Sequence, residues 1–247
     1  VAKDLPPKVE NIYYSALLDD QRDLYAALAK KLKEQVLQDV DEKGIGQSQI
    51  SILDALLKLR QICCHPRLLK LDMPGFNLSS GKFEAFKDLV TSIIDDGHKV
   101  LVFSQFVQML HIIRNWLHMV EIPFCYLDGT SKDRFEQVDK FNNTPEIPIF
   151  LISLKAGGTG LNLTAADYVI HYDPWWNPAV EDQATDRTHR IGQTRQVFAY
   201  KMICENTVEE KILKLQESKK GIADSIIPGQ SAWKSLTRSD LEMLFEI

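Results

Sequence analysis

The chain has 247 residues, 45% of them hydrophobic, and a formal net charge of −5 from 29 basic and 34 acidic side chains. That length holds one large domain or one domain with an appendage, and the apolar content is ample for a buried core. The acidic balance excludes wholesale coating of nucleic acid while leaving room for a local basic patch.

Taken in order, residues 1–16 begin with Leu5 to Pro7, an extended lead-in that reads as a linker or an edge strand. From Asp19, Leu24, Leu28, Leu32 and Val36 recur every four residues with Tyr25 and Ala29 beside them and lysines outside, the pattern of an amphipathic helix that Gly44 and Gly46 stop. A second helix from about Ser51 places Leu53, Leu56, Leu57 and Leu59 inside and must end before Pro66. Residues 1–75 are thus mostly helical, and the tract from Met73 to Ser80 reads as a hinge.

From Gly81 helix-period and strand-like segments alternate. A helix on Phe83, Phe86, Leu89, Val90, Ile93 and Ile94 closes at Gly97 and is followed by the apolar strand Val100 to Ser104. Next come a helix on Phe106 to Leu117, a strand Phe124 to Leu127, a helix Ser131 to Phe141 and strands Ile149 to Ser153 and Tyr168 to Tyr172. A helix from about Pro178, a strand Val197 to Ile203 and a helix opening at Thr207 complete the series; Thr207 and Glu210 have capping-box spacing. A last short helix, opened by Ser239, carries Leu241, Leu244 and Phe245. Continuous apolar strands separated by helices predict an α/β fold, a three-layer parallel sheet covered on both faces. Ligands bind such sheets beyond the carboxyl ends of the strands, so the loops after Ser104, Leu127, Ser153 and Tyr172 are where function is expected.

Unusual residues concentrate there. Ser153-Leu-Lys-Ala-Gly-Gly-Thr-Gly160 follows a buried strand, and Gly157, Gly158 and Gly160 either turn backbone N–H groups towards a phosphate or form an ordinary glycine turn. It is not a Walker A loop, because no Lys-Ser/Thr follows the glycines. Gly75 to Phe83 imitates such a loop with the wrong spacing, and Asp41-Glu42 imitates a magnesium box at a helix end. Gln183, Arg187 and Arg190 fall at i, i+4 and i+7, which on a helix is one face. Arginine pairs on such a face either stabilise a transferring phosphoryl group or pair with Glu181, Asp182 and Asp186; the glycine loop upstream favours the first. Trp175 and Trp176 stack on bases or wedge into a groove, or divide into one core and one exposed ring. Asp128-Gly129 with Ser131 makes a turn and helix cap.

The four cysteines, Cys63, Cys64, Cys125 and Cys204, form no CxxC pair, so neither a disulfide framework nor a zinc ribbon is expected and the setting is reduced and intracellular. Packing is the favoured role of Cys63-Cys64-His65-Pro66, since neighbouring cysteines on a helix diverge and no second ligand pair is evident. No signal peptide and no apolar run near the ~20 residues of a membrane helix is present. A start at Val1 in place of methionine suggests a fragment.

Together these residues resemble the second RecA-like lobe of the Swi/Snf family of superfamily-two DNA translocases. Leu59-Arg-Gln-Ile-Cys-Cys-His-Pro-Arg67 is similar to the segment preceding that lobe, its double cysteine being reminiscent of bacterial members. Lys99-Val-Leu-Val-Phe-Ser-Gln-Phe106 resembles helicase motif IV, Leu127-Asp-Gly-Thr130 with Arg134 and Phe141-Asn142 the motif after it, and Ser153 to Leu163 motif V. Gln183-Ala-x-Asp-Arg-x-His-Arg-Ile-Gly-Gln193 resembles motif VI and separates this family from the RNA-unwinding branch.

The resemblance implies that a first lobe, the N-terminal RecA-like lobe of the same protein, carries the phosphate loop and the Mg2+-binding acids, with ATP between the lobes. Arg187 and Arg190 would be arginine fingers, and Gln183, Gly157 and Gly158 would sense the nucleotide. Ser104, Gln105, Asp128, Gly129, Ser153, Lys155 and Ala156, with Trp175 and Trp176, would meet double-stranded DNA through backbone contacts that carry no sequence information. It also implies a linker and helical protrusion over 1–75, the lobe over 76–204, and a brace helix and tail over 205–247. The expected protein is a monomer without a membrane or metal site of its own in this chain, in the cytoplasm at the nucleoid if bacterial and in the nucleus if eukaryotic, and this chain alone would not hydrolyse ATP. An RNA helicase lobe and a non-catalytic nucleic-acid- or protein-binding RecA-like module are the competing expectations.

Overall fold

The computed structural model describes residues 6–69, 78–157, 160–175, 178–190, 192–223 and 236–246. In chain order the elements are β1 (Lys8–Ser15), α1 (Asp19–Lys43), α2 (Gln49–Cys64), α3 (Gly81–Asp95), β2 (Val100–Ser104), α4 (Val107–Met119), β3 (Phe124–Leu127) and α5 (Arg134–Asn143). There follow β4 (Ile149–Ser153), α6 (Leu154–Gly157), β5 (Tyr168–His171), α7 (Pro178–Thr185), β6 (Val197–Cys204), α8 (Val208–Ala223) and α9 (Arg238–Leu244). The strands form one six-stranded sheet in the order β1-β6-β5-β2-β4-β3. The pairs β2–β4, β2–β5, β3–β4 and β5–β6 are parallel. The outermost pair has the same sense: Val197 N–H donates to Pro7 O and Glu205 N–H to Ser15 O, a constant offset along both strands. The extended lead-in therefore becomes an edge strand. This is the parallel α/β architecture the apolar strand pattern predicts.

The chain divides into two compact units, residues 1–13 with 84–203 and residues 14–83 with 204–247. In the first, alternation along each strand sends Leu101, Phe103, Phe150, Ile152, Val169 and Ala199 to one face, where they pack in a single fully buried cluster that also takes Ala184 of α7. On the opposite face Phe86 of α3 sits edge-on to Tyr172 at 5.4 Å and to Trp116 at 6.2 Å, a geometry aromatic rings favour.

In the second unit α1 packs along α2, but its buried stripe is Gln21, Tyr25, Ala29, Leu32, Val36 and Val40. Leu24 and Leu28 are only half-buried. Tyr25 rotates the helix towards itself because its hydroxyl accepts the Val208 N–H at 2.7 Å, satisfying a donor in the first turn of α8. Leu53 and Leu57 of α2 stay about two-fifths exposed, while Ile52, Ala55, Leu56, Leu59 and Ile62 are inside. Gly81 is dictated by contact: a Cβ there would lie 2.0 Å from the Ala16 carbonyl oxygen. The proposed hinge from Met73 to Ser80 lies outside the described residues except for its last three. The final helix is capped by Thr237, whose hydroxyl takes the Asp240 N–H, and not by Ser239. At α8, Glu210 reaches the Asn206 N–H and Thr207 takes the Glu209 N–H, so the capping contacts are displaced by one residue from the expected box.

Candidate nucleotide and nucleic-acid site

Parallel register brings the functional loops to one edge. Ser104 at the end of β2 stands beside Ser153 at the end of β4, and Leu127 of β3 pairs with Ile152, so Asp128 and Leu154 open neighbouring loops. The Ser104 hydroxyl, fully buried, donates to Asp173 Oδ1 and accepts the Phe106 N–H at 3.1 Å. Asp173 Oδ2 accepts the Gln105 N–H at 3.1 Å, so one buried carboxylate after β5 fixes the loop after β2. Sequence reasoning missed Asp173; an acid directly after a central apolar strand was the signal.

Asp128 is buried and forms an Asx turn, taking the Thr130 N–H at 2.8 Å, the Thr130 hydroxyl at 2.7 Å and the Tyr126 hydroxyl at 2.9 Å. Burial alone would raise its pKa, but these donors, with Ser131, outweigh it and hold the carboxyl at about 2. The expected turn is present, and α5 starts at Arg134 because Ser131 serves the turn, its hydroxyl accepting the Asp128 N–H at 3.0 Å. Ser153 is buried and accepts the Ala156 N–H at 3.3 Å, closing the first turn of α6. Ala156 is buried too. Gly129, Thr130 and Lys155 are exposed and Gln105 half-exposed. Trp175 is half-buried against the core cluster, its backbone N–H donating to Glu181 Oε1 at 2.7 Å. Gly158 and Trp176 lie outside the described residues, Gly157 ends α6, and Gly160 has φ 47°.

The arginine segment departs from expectation. One helix was to carry Gln183, Arg187 and Arg190 on a single face, but α7 ends at Thr185 and residues 186–190 form turns and a bend. The Thr185 side chain is buried and its hydroxyl lies 2.9 Å from His171 Nε2, while its carbonyl accepts the N–H groups of both Thr188 and His189. The Arg187 carbonyl is taken by the Leu163 N–H at 3.1 Å. Local turns closed on Thr185 and a tertiary bond at Arg187 thus replace a continued helix. Gln183 and Arg190 are exposed and Arg187 half-buried, its Nε buried without a hydrogen-bond partner among the described residues.

Two of the three acids that were to neutralise these arginines lie by other cations, and the third, Asp186, is exposed without an ion pair among the described residues. Glu181 pairs with Lys201 at 2.8 Å and Asp182 lies 3.8 Å from Lys8. Among the described residues neither Arg187 nor Arg190 makes an ion pair. A half-buried guanidinium with an orphaned N–H and an exposed one three residues on suit an anion with several oxygens, such as a nucleotide phosphate. An acid cluster fit to hold Mg2+ is absent from this edge among the described residues.

The single three-donor group among the described residues lies in the second unit: Cys63 Sγ, Cys204 Sγ and a Glu209 carboxylate oxygen, all buried within 4.8 Å of one another. It does not fit a metal. Lys82 Nζ, itself fully buried, is 2.5 Å from Glu209 Oε2 and already supplies the countercharge. Burial pushes the Cys63 thiol well up, away from the thiolate a metal needs. All four cysteines are free and buried, and no described helix is long and apolar enough to cross a membrane.

Comparison with known proteins identifies the family and the fold. Residues 81–192 match the helicase conserved C-terminal domain and residues 1–68 the SNF2-related domain. The putative ATP-dependent helicase/translocase YwqA of Bacillus subtilis is 40% identical over 254 residues, covering 100% of this chain and 27% of that protein. The chain thus spans about a quarter of the length of that curated relative. The Sulfolobus solfataricus SWI2/SNF2 ATPase core in complex with dsDNA superposes with a TM-score of 0.79 at 37% identity, covering 100% of this chain and 52% of that one. The C-terminal domain of the Sulfolobus solfataricus SWI2/SNF2 ATPase gives 0.72 at 34% identity, over 96% of this chain and 97% of that chain. The chain therefore belongs to the SWI2/SNF2 family of ATPases and is its C-terminal, RecA-like helicase lobe.

Proposed function

We propose that this chain is the second motor lobe of an ATP-dependent double-stranded DNA translocase, completing an ATP site that a preceding lobe begins. The observation that carries the reading is the state of Arg187 and Arg190: among the described residues neither makes an ion pair, Glu181 and Asp182 lying by Lys201 and Lys8, and the Arg187 Nε is buried without a partner, which leaves the arginines for an anion. Fingers of this kind stabilise the charge on a transferring phosphoryl group. No Gly-x4-Gly-Lys-Ser/Thr loop occurs in the chain, so ATP and Mg2+ would be held mainly by the first lobe, with Gln183 and Gly157 near the nucleotide.

The sheet edge at Ser104, Asp128 and Ser153 would face duplex DNA. Buried hydroxyls and carboxylates there hold the loops, the Gln105 and Thr130 amides bonding inward to Asp173 and Asp128, and exposed Gly129 and Lys155 would meet the backbone, Lys155 with one positive charge. Such contacts position a protein on any sequence, as a translocase requires. Trp175, half-buried against the core cluster, would lie beside the groove. The α1–α2 pair is read as the protrusion and α8 as the brace, in a monomer working where DNA is kept, nucleoid or nucleus. The test is strand displacement by the full-length protein with ATP. Release of a third strand from a DNA triplex with the duplex intact supports the reading; unwinding of duplex RNA would assign an RNA helicase, and no displacement of either a binding module.

A further inference from the structure

One side chain closes the arginine segment from both sides. Gln193 is buried, with 6% of its surface exposed. Its Nε2 lies 2.8 Å from Ala166 O, 3.2 Å from Thr164 O and 3.3 Å from Thr188 O, and its Oε1 accepts the Arg195 N–H at 2.9 Å. Its own N–H donates to Arg190 O at 2.9 Å. A carboxamide alone among side chains offers two donors at one corner and an acceptor at the other. Glutamate has the shape without the donors, and methionine has the length without either.

Residues 186–190 lie beyond the last turn of α7; the N–H groups of Asp186 to His189 still bond back to the carbonyls of Asp182, Ala184 and Thr185, but no continuing helix takes the segment's own carbonyls. Three hydrogen bonds to positions outside this segment hold its carbonyls: Leu163 N–H to Arg187 O, the Gln193 side chain to Thr188 O, and Gln193 N–H to Arg190 O. Two of the three come from Gln193. The same side chain grips Thr164 and Ala166, in the segment between the glycine-rich loop and β5. Gly192, at φ 103°, allows the chain to turn back into this position.

We infer that Gln193 is a positioning residue that sets the backbone of Arg187 and Arg190 against the segment following the glycine-rich loop, so that both guanidinium groups reach the nucleotide together. This rests on the finger role proposed above for those arginines. A displacement of about 1 Å in a group that must meet a transition state costs up to about 100-fold in rate, which bounds the expected effect.

The test uses the full-length protein with duplex DNA and ATP, comparing Gln193→Met, Gln193→Glu and Arg190→Ala with wild type. Both Gln193 variants are expected to lower kcat by about 10- to 100-fold, with KM for ATP and DNA affinity little changed and Tm lowered in both, more in the glutamate variant, because buried carbonyl groups lose their donors. An isosteric carboxylate failing as badly as methionine marks the donors as the cause. If Arg190→Ala is inactive while Gln193→Met turns over at the wild-type rate, this inference is overturned and the finger role stands. Wild-type turnover in Arg190→Ala overturns the finger role itself. Unfolding of both Gln193 variants, or parallel losses of DNA affinity and kcat, would make Gln193 a residue of the fold and overturn the positioning role as well.

Discussion

Replacing Lys82 with methionine tests how the second unit is held. Lys82 and Glu209 are both fully buried and 2.5 Å apart, and Glu209 Oε2 also accepts the Cys204 N–H at 2.9 Å. Glu209 Oε1 has no hydrogen-bond partner among the described residues. Removing the ammonium strands a carboxylate in an apolar interior with one backbone donor. Breaking a buried pair in this way costs about 3–5 kcal/mol, which for a chain of this size lowers Tm by about 6–20 °C. The double variant Lys82→Met/Glu209→Leu removes both charges and should recover much of the loss, short of about 1–3 kcal/mol for the unsatisfied Cys204 N–H. Urea unfolding followed by far-UV circular dichroism measures both. Burial lowers the Lys82 pKa, but the Glu209 carboxylate outweighs it and raises the value. Its stabilisation is therefore complete below the unfolded lysine value of about 10.4 and lost only as pH rises through the higher folded one. A single variant that loses under about 1 kcal/mol, or a double variant less stable than the single, would refute the reasoning.

Two further outcomes follow from burial and exposure. His171 is held neutral, its pKa lowered to about 3 by burial first and then by Lys201, and His65 is lowered to about 4 by burial and Arg67. The unfolded chain binds these protons first, so stability is full above 6.5 and falls as pH drops from there towards 4 and then 3. His171→Gln should flatten that slope by up to about 1.4 kcal/mol per pH unit, and an unchanged slope in urea titrations contradicts neutral burial. Lys155 is exposed on α6; Lys155→Ala should weaken DNA binding uniformly across sequences and reduce the slope of log K against log salt by about 1, as measured by fluorescence anisotropy at several salt concentrations.

The bounds of β2, β3 and β4 were legible because short apolar runs between amphipathic helices admit one interpretation in a covered parallel sheet. Periodicity failed where a tertiary bond outweighed it. The sequence through Arg190 continues a helical spacing, yet Thr185 meets His171, Leu163 takes the Arg187 carbonyl, and the helix stops. At α1 the stripe turned because Tyr25 has a donor to satisfy on α8, a partner 183 positions away. Both Thr237 and Ser239 head a Ser/Thr-x-x-acid pattern, and the burial of Leu241 and Leu244 chooses Thr237. Lys82 read as part of a false phosphate loop and Cys63 as a packing residue. Their meeting with Glu209 and Cys204 spans 127 and 141 positions, and no local pattern reports such a contact. The functional segment was legible as a string of residue types; its geometry, a docked turn in place of a helix face, was not.

The central claim is that this lobe completes an ATP site with Arg187 and Arg190. Its most direct test is DNA-stimulated ATP hydrolysis by the full-length protein carrying Arg190→Ala. The account predicts turnover at background, a loss of about 10³-fold or more for a missing finger, with duplex DNA binding largely unchanged. Wild-type turnover in that variant would contradict it.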